Sequence, residues 1–470
     1  MTAELELDDG APIRAARDWG RYGKRPLVLL SLVGLIDAVD RGILPGAASK
    51  VKDALNFSDF KIGVLGTAFI LASFLATPVA GYVADRRRRT HVIGVVLASW
   101  GALSAVTAAV QNFLQFFVVR AALGASDAVN SPASQSLIAD YYPPAMRGRA
   151  YAVRQVTPIL GTALGTGLGG AVAGTIGWRW AFVIVGLPGS ILALTVWRMH
   201  EPPRGELDDE AAVTPTAEAA IAEAAANLPV RPQAGDPAAA PTSAGREIRA
   251  DLRAVVGIPT LRALMIGSGV TTGSLTALGY WAPSFYERHA GLSTVQSGAV
   301  AGGLILVGAL AGTMIGGMIA DRVRGRYEGA PMLLAGASQA IGAVLLFFSF
   351  LHVPTWTVRV PLQFVGVMFI VGAIPALASM TAEVAPANLR GTAFAVTTWL
   401  GALLAAVAAP LVGALADHWP ITVHGKHEGN LALAFAIVTP FVLVGSVVVL
   451  SGRRHVSSDT ARARAAGMAG

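Results

Sequence analysis

Apolar residues arrive in twelve blocks of roughly twenty, separated by short polar stretches. The blocks fall at 26–48, 60–84, 91–110, 113–136, 150–175 and 178–198, and then at 260–286, 294–320, 330–351, 357–382, 390–416 and 430–451. At 1.5 Å per residue, about twenty helical residues cross a hydrocarbon layer of about 30 Å. The pattern predicts helices, because a segment immersed in lipid must satisfy its backbone polar groups within itself. The alternating ten-residue runs of a membrane β-barrel are not found in the sequence. The expectation is an all-α membrane protein of twelve transmembrane helices in two pseudo-symmetric six-helix bundles.

Composition supports this. The 470 residues are 54% hydrophobic and only 14% charged, where a soluble chain carries about 25%. A net charge of +7 would point to nucleic acid in a soluble protein. Here the basic residues sit between apolar blocks, where anionic lipid heads meet them, so the bilayer is the expected partner and nucleic acid is not. With no cysteine in the chain, disulfide and thiolate chemistry are excluded. The first block follows a polar start with Arg21, Lys24 and Arg25 and is too long for a cleaved leader.

Five segments result: an N-terminal tail at 1–25, a first bundle at 26–198, a linker at 199–257, a second bundle at 258–452 and a C-terminal tail at 453–470. The linker, rich in Ala, Pro and Glu, is too poor in apolar residues to bury a core and reads as a mobile tether with a short helix at 216–227. Arginines crowd one set of connections: Arg86 to Arg89, Arg147 and Arg149, Arg322, Arg324 and Arg326, Arg453 and Arg454. The other set has scattered Lys50, Lys52, Arg179, Arg288 and Lys426. The positive-inside rule then puts the first set, both termini and the linker in the cytoplasm of a bacterial-type inner membrane.

Two turns repeat. "GYVADRRRR" runs from Gly81 to Arg89 and "GMIADRVRGR" from Gly317 to Arg326. Further on, Asp140 precedes Arg147-Gly by the same seven residues that separate Glu383 from Arg390-Gly. Recurrence at corresponding ends of both halves is the mark of a duplicated transporter. The G-x-x-x-D-R-x-x-R turn resembles the signature loop of the major facilitator superfamily. That resemblance implies a latch holding the halves together in the outward-facing state, made from Gly81, Asp85, Arg86, Arg89, Asp140 and Arg147 and from Gly317, Asp321, Arg322, Arg326, Glu383 and Arg390. Arg87 and Arg88 read instead as positive-inside charge.

Ionisable residues in mid-helix cost about 2.5–3.5 kcal/mol each and need a reason. The first block carries Asp37, Asp40 and Arg41 at spacings that let all three share one face, with Arg41 neutralising one carboxylate. The fourth carries Arg120 and Asp127, with Gly124, Ser131 and Gln135 on or near the same stripe. A common water-filled cavity is the economical arrangement, its charges binding substrate or carrying protons; a structural ion pair is the alternative. Arg154, one turn inside the fifth block, is placed either to meet an anionic head or to snorkel to the surface.

The fifth block is glycine-rich, which favours close helix packing. It also resembles the superfamily's antiporter motif, with Thr166 where proline usually stands. Around Asp40 and Arg41 "DAVDRG" is similar to the first helix of spinster-type transporters. "RAALGASDA" resembles their fourth helix, with Asp127 in place of glutamate, and "ALGYWAPSFYERHAG" their seventh. The resemblance implies alternating-access transport of a lysophospholipid or another single-chain amphipathic lipid, with protons as candidate coupling ion. Tyr280 and Trp281, beside Pro283, are expected either to line the cavity at a broken helix or to anchor an interface. A proton-coupled carrier of organic anions, sugars or drugs is the second reading. No H-E-x-x-H, G-x-S-x-G or P-loop pattern occurs, and the histidines fall in loops or at helix ends, so no enzyme is expected. Neither metal nor cofactor is expected, and the chain is read as a monomer.

Overall fold

A computed structural model of the chain describes residues 21–203, 251–323, 329–351, 355–386, 389–423 and 425–468, with 19, 249 and 326. The expected linker helix at 216–227 lies outside the described residues. Among the described residues seven helices form the first half: α1 Arg25–Leu55, α2 Asp59–Arg86, α3 Arg89–Thr107, α4 Phe113–Asp127, α5 Asn130–Tyr141, α6 Pro144–Thr175 and α7 Trp178–Trp197. The second half holds α8 Pro259–Ala290, α9 Thr294–Val323, α10 Ala330–Leu351, α11 Trp356–Gly372, α12 Ile374–Val384, α13 Arg390–His418 and α14 Leu431–Gly452. Local chemistry sets several starts. Ser58 and Asn112 cap α2 and α4 by accepting from the Lys61 and Gln115 amides, and Asn430 caps α14.

Two blocks read as continuous are broken at corresponding places, α4 from α5 and α11 from α12. Pro132 and Pro375 stand just past the breaks, and a proline ring offers no N–H to the preceding turn. The pairs α4–α5 and α11–α12 therefore count as one crossing each, giving twelve. Nine spans among the described residues, with α11–α12 counted as one, are long and apolar enough to cross a bilayer. A tenth is α8, entered from the short helix Asp251–Gly257 through a bend of 88°. The two crossings that fall short are α1 and α4–α5, which carry Asp37, Asp40, Arg41, Arg120 and Asp127.

Both ends of the molecule hold structure that the apolar pattern did not reveal. Between α13 and α14 an antiparallel hairpin pairs β1 Pro420–Val423 with β2 Lys426–Gly429, turning at Gly425 with φ 79°, where a side chain is disfavoured. We call this the hairpin end and the opposite, arginine-rich end the basic end. At the basic end the C-terminal segment forms a further helix, α15 at Val456–Met468. Asp459 ties it down by accepting from the amide and hydroxyl of Thr260, at 3.1 and 2.8 Å.

The halves meet along α2 with α13, α6 with α9, and α1 with α8. Glycine makes the middle contact possible. A Cβ on Gly165 would run into the Val39 carbonyl of α1, while one on Gly170 would meet the Thr294 carbonyl of α9 at 2.7 Å. α6 thus presents one bare face to its own half and another to the opposite half, as small residues permit in lipid.

Candidate functional site

The intramembrane charges form two clusters of different character. The first lines a cavity of about 420 Å³ that includes Asp37, Arg41, Asp127, Gln135, Tyr151 and Arg154. Arg41 pairs with Asp37, one turn earlier on α1, and stands 3.7 Å from Asp127 on α4. Its side chain is 41% exposed and that of Asp127 13%, so water reaches this group. Arg154 does not snorkel away: its Nη1 donates to the Leu30 carbonyl on α1 at 3.2 Å, beside the cavity. Tyr151 donates to the Gln135 carbonyl at 3.1 Å and joins α6 to α5.

Asp40 departs from expectation. It is 0% exposed and turns away from the cavity toward α3 and α4. Ser104 donates to its Oδ1 at 2.9 Å, and Arg120 approaches its Oδ2 at 3.5 Å. Arg120 is itself 2% exposed, and its Nε has no hydrogen-bond partner among the described residues. The five charges of α1 and α4 therefore do not share one wet face. Asp40 and Arg120 are a dry pair, and Asp37, Arg41 and Asp127 are the wet group. Phe69 of α2 lies between them, its ring centre 5.8 Å from the Arg41 guanidinium and 5.2 Å from that of Arg120. Sequence reasoning missed Phe69 and Ser104, because a phenylalanine and a serine inside apolar blocks carry no signal of their own.

Tyr280 and Trp281 neither line the cavity nor anchor an interface, and α8 runs unbroken through Pro283. Tyr280 donates to the Ile62 carbonyl of α2 at 2.6 Å, across the boundary between halves. Trp281 is fully buried and donates to the Ala409 carbonyl at 2.9 Å. Tyr280 thus belongs to the closure at the hairpin end, where a charged network continues, while Trp281 joins α8 to α13 within the second half. Arg288 holds Asp59 through two nitrogens, Lys52 bridges Asp59 and Glu428 at 3.0 and 2.5 Å, and Lys426 meets Asp53 at 3.1 Å. Asp417 adds two bonds from the amides of Asp59 and Phe60, at 3.0 and 2.8 Å. Along the sequence Lys52, Arg288 and Lys426 are only scattered cations; folding brings Asp53 of α1, Asp59 of α2 and Glu428 of the hairpin to them and makes a lock.

At the basic end, the repeated turns sit where the pattern put them. Gly81, Asp85 and Arg86 fall in the last turns of α2, with the Asp85 side chain outside the described residues, and Gly317, Asp321 and Arg322 fall in those of α9. Arg326 lies in the following turn, Glu383 ends α12 and Arg390 begins α13. Arg89 is buried and bonds within its own half, to Asp140, to Ser136 at 2.7 Å and to Glu201 at 3.0 Å. Glu201, assigned by sequence to the linker, also accepts from the amides of Arg89 and Thr90 and from the Thr90 hydroxyl. Burial pushes its carboxyl up, but these bonds outweigh burial and hold it below the ordinary glutamate range. Arg147 donates to the Ala139 and Tyr142 carbonyls, at 3.0 Å each.

Residues 30–410 match the Major Facilitator Superfamily. The chain belongs to the major facilitator superfamily. It is a multi-pass membrane transporter of that fold. A spinster homolog 1 from Xenopus laevis is 24% identical over 338 residues, spanning 69% of this chain and 59% of that protein. An MFS-type efflux pump of Mycolicibacterium smegmatis is 26% identical over 452 residues, 95% of each chain. Among solved structures, a bacterial homolog of the human lysosomal transporter spinster, in an inward-facing and unoccupied conformation, superposes with a TM-score of 0.77. It is 19% identical and covers 94% of this chain and 98% of that one. This likeness bears on fold, and the facilitator's two bundles are the halves of six crossings described above.

Proposed function

We propose that this facilitator is a secondary active transporter moving a lysophospholipid, or a similar single-chain amphipathic lipid, by alternating access with protons as the coupling ion. The single observation that carries the reading is the wet cluster of Asp37, Arg41, Asp127 and Arg154 in a cavity next to the dry Asp40–Arg120 pair. A charged lipid head or a proton entering the cavity competes for Arg41, whose two carboxylate neighbours sit at different strengths of contact. Neutralising Asp127 releases Arg41 toward Asp37, and the change reaches Arg120 through Phe69 and through Asp40 on the same turn of α1. The spinster relatives and the resemblance of "DAVDRG" support an amphipathic substrate.

On this reading the basic end is cytoplasmic, as its arginine excess favours, in a bacterial-type inner membrane. The closed hairpin end then makes the described state inward-facing. In the opposite state, the turns at Asp85, Arg86, Asp321 and Arg322, with Glu383 and Arg390, take over as the latch. Rocking two rigid bundles between end-specific ion pairs is a two-state device.

The second reading is a proton-coupled carrier of organic anions, sugars or drugs, and it draws support from the efflux pump aligned over nearly the whole chain. Purified protein in liposomes, offered a lysophospholipid and a hydrophilic organic anion with and without a pH gradient, separates the two. Lipid movement accelerated by the gradient is expected. Gradient-driven uptake of the hydrophilic anion alone would defeat the lipid reading.

A further inference from the structure

The first half carries a second concavity, on its outer surface and apart from the transport cavity. It lies at the basic end, between the start of α1 and the ends of α5 and α7, and encloses about 500 Å³. Its lining changes along the membrane normal. At the rim stand Arg25, the first residue of α1, and Arg198, just past the end of α7, both exposed. Beside them Tyr22, Tyr141 and His200 form an aromatic cluster: the tyrosine rings meet edge-on at 5.2 Å, and Tyr22 stacks on His200 at 6.0 Å. One turn deeper come Leu29 and Leu194. The exposed strip then continues along α7 through Ile191 and Leu187, 68% and 60% exposed, a face turned to acyl chains.

Charge defines the occupant. The guanidinium groups of Arg25 and Arg198 have no carboxylate partner among the described residues. Arg21 and Lys24 add two cations nearby, over the rings of Tyr22 and Trp19 at 5.7 and 5.8 Å. The acids next to the groove in sequence are turned elsewhere: Glu201 is committed to Arg89 and Thr90, and Asp140 to Arg89. A site with cations and tyrosines at the headgroup level and an aliphatic track below them is complementary to an anionic amphiphile standing along the bilayer normal.

We propose that this groove binds an anionic glycerophospholipid of the surrounding leaflet, its phosphate between Arg25 and Arg198 and its acyl chains along Leu29, Leu194 and Ile191. Bound there, the lipid joins α1, which bears the wet charge cluster, to α7 on the outside of the bundle. Native mass spectrometry of the full chain, incubated in detergent with equal amounts of phosphatidylglycerol and phosphatidylcholine, tests it. The wild-type chain retains phosphatidylglycerol preferentially. Arg25→Gln with Arg198→Gln weakens that retention about 25-fold, roughly a factor of five for each cation near the headgroups. Arg25→Lys with Arg198→Lys keeps most of it. Arg453→Gln with Arg454→Gln removes the same charge elsewhere at the basic end and leaves retention unchanged. Equal loss in that control, equal retention of phosphatidylcholine, or displacement of the lipid by inorganic phosphate would each overturn the proposal.

Discussion

Arg288 grips Asp59 across the boundary between the two halves, its Nη1 and Nη2 each 2.7 Å from a carboxylate oxygen. Asp59 is wholly buried and Arg288 nearly so. Removing one member of a buried pair costs about 3–5 kcal/mol because the other is left unmatched. Lys52, 3.0 Å from Asp59, softens that loss. Arg288→Gln should therefore shift the molecule toward the state open at the hairpin end. The chain has no cysteine, so Ser49→Cys, replacing a residue that bonds Ser284 across the boundary, gives a silent background for labelling. A membrane-impermeant maleimide is expected to react at least about tenfold faster in the Arg288→Gln form; an unchanged rate would mean that the pair does not hold this end shut.

Asp40 and Asp127 should respond differently to neutralisation. Asp40→Asn strands Arg120 in dry protein, and a fall in stability of about 3 kcal/mol is expected, visible as a lowered melting temperature in detergent. Adding Arg120→Gln should restore most of it. Asp127→Asn leaves Arg41 its stronger partner Asp37 and access to water, so melting should move little while gradient-driven transport falls by at least about tenfold. Unaltered transport in Asp127→Asn would remove that carboxylate from the coupling step.

The glycines of α6 predict a division of labour. Gly165 faces α1 within the first half, so Gly165→Leu forces apart helices that must pack for that half to fold, and a loss of about 3 kcal/mol or more is expected. Gly170 faces Gly298 and Thr294 of the opposite half. Gly170→Leu should leave each half folded and hinder closure at the hairpin end, which the same labelling assay at residue 49 reports. Equal melting temperatures for the two variants would contradict this division.

Glu201 should contribute stability with a defined pH dependence. Its folded carboxyl titrates below the ordinary value of 4.5, so the contribution is complete above that pH and fades as pH falls through the folded pKa. Glu201→Gln is expected to cost about 2 kcal/mol at neutral pH, from weakened charge-assisted bonds to Arg89 and Thr90. The gap from wild type should close as the pH of the melt is lowered below 4.5. A gap that persists in acid would assign the loss to packing.

Much of the architecture was legible along the chain, and the reason is the solvent. In lipid each crossing must be apolar, helical and of a set length within its own segment, so the crossings and their duplication are local properties. The presence of ionisable residues in α1 and α4 was equally visible. The hairpin and α15 were not, because neither carries a long apolar run. The break after Gly372 was hidden by continuous hydropathy.

Helical spacing allowed Asp37, Asp40 and Arg41 a common face; only the packing of α3, α4 and α2 decided that Ser104 and Arg120 take Asp40 while Arg41 stays in water. The same holds for Tyr280 and Arg288, whose partners Ile62 and Asp59 lie more than two hundred residues away in sequence. The sequence by itself thus determined that the chain crosses the bilayer in two matching bundles and brings charge into it. Which charges are dry, which are wet and which end is locked was decided by tertiary structure, because the energy of a buried ion depends on neighbours the chain places there only when folded.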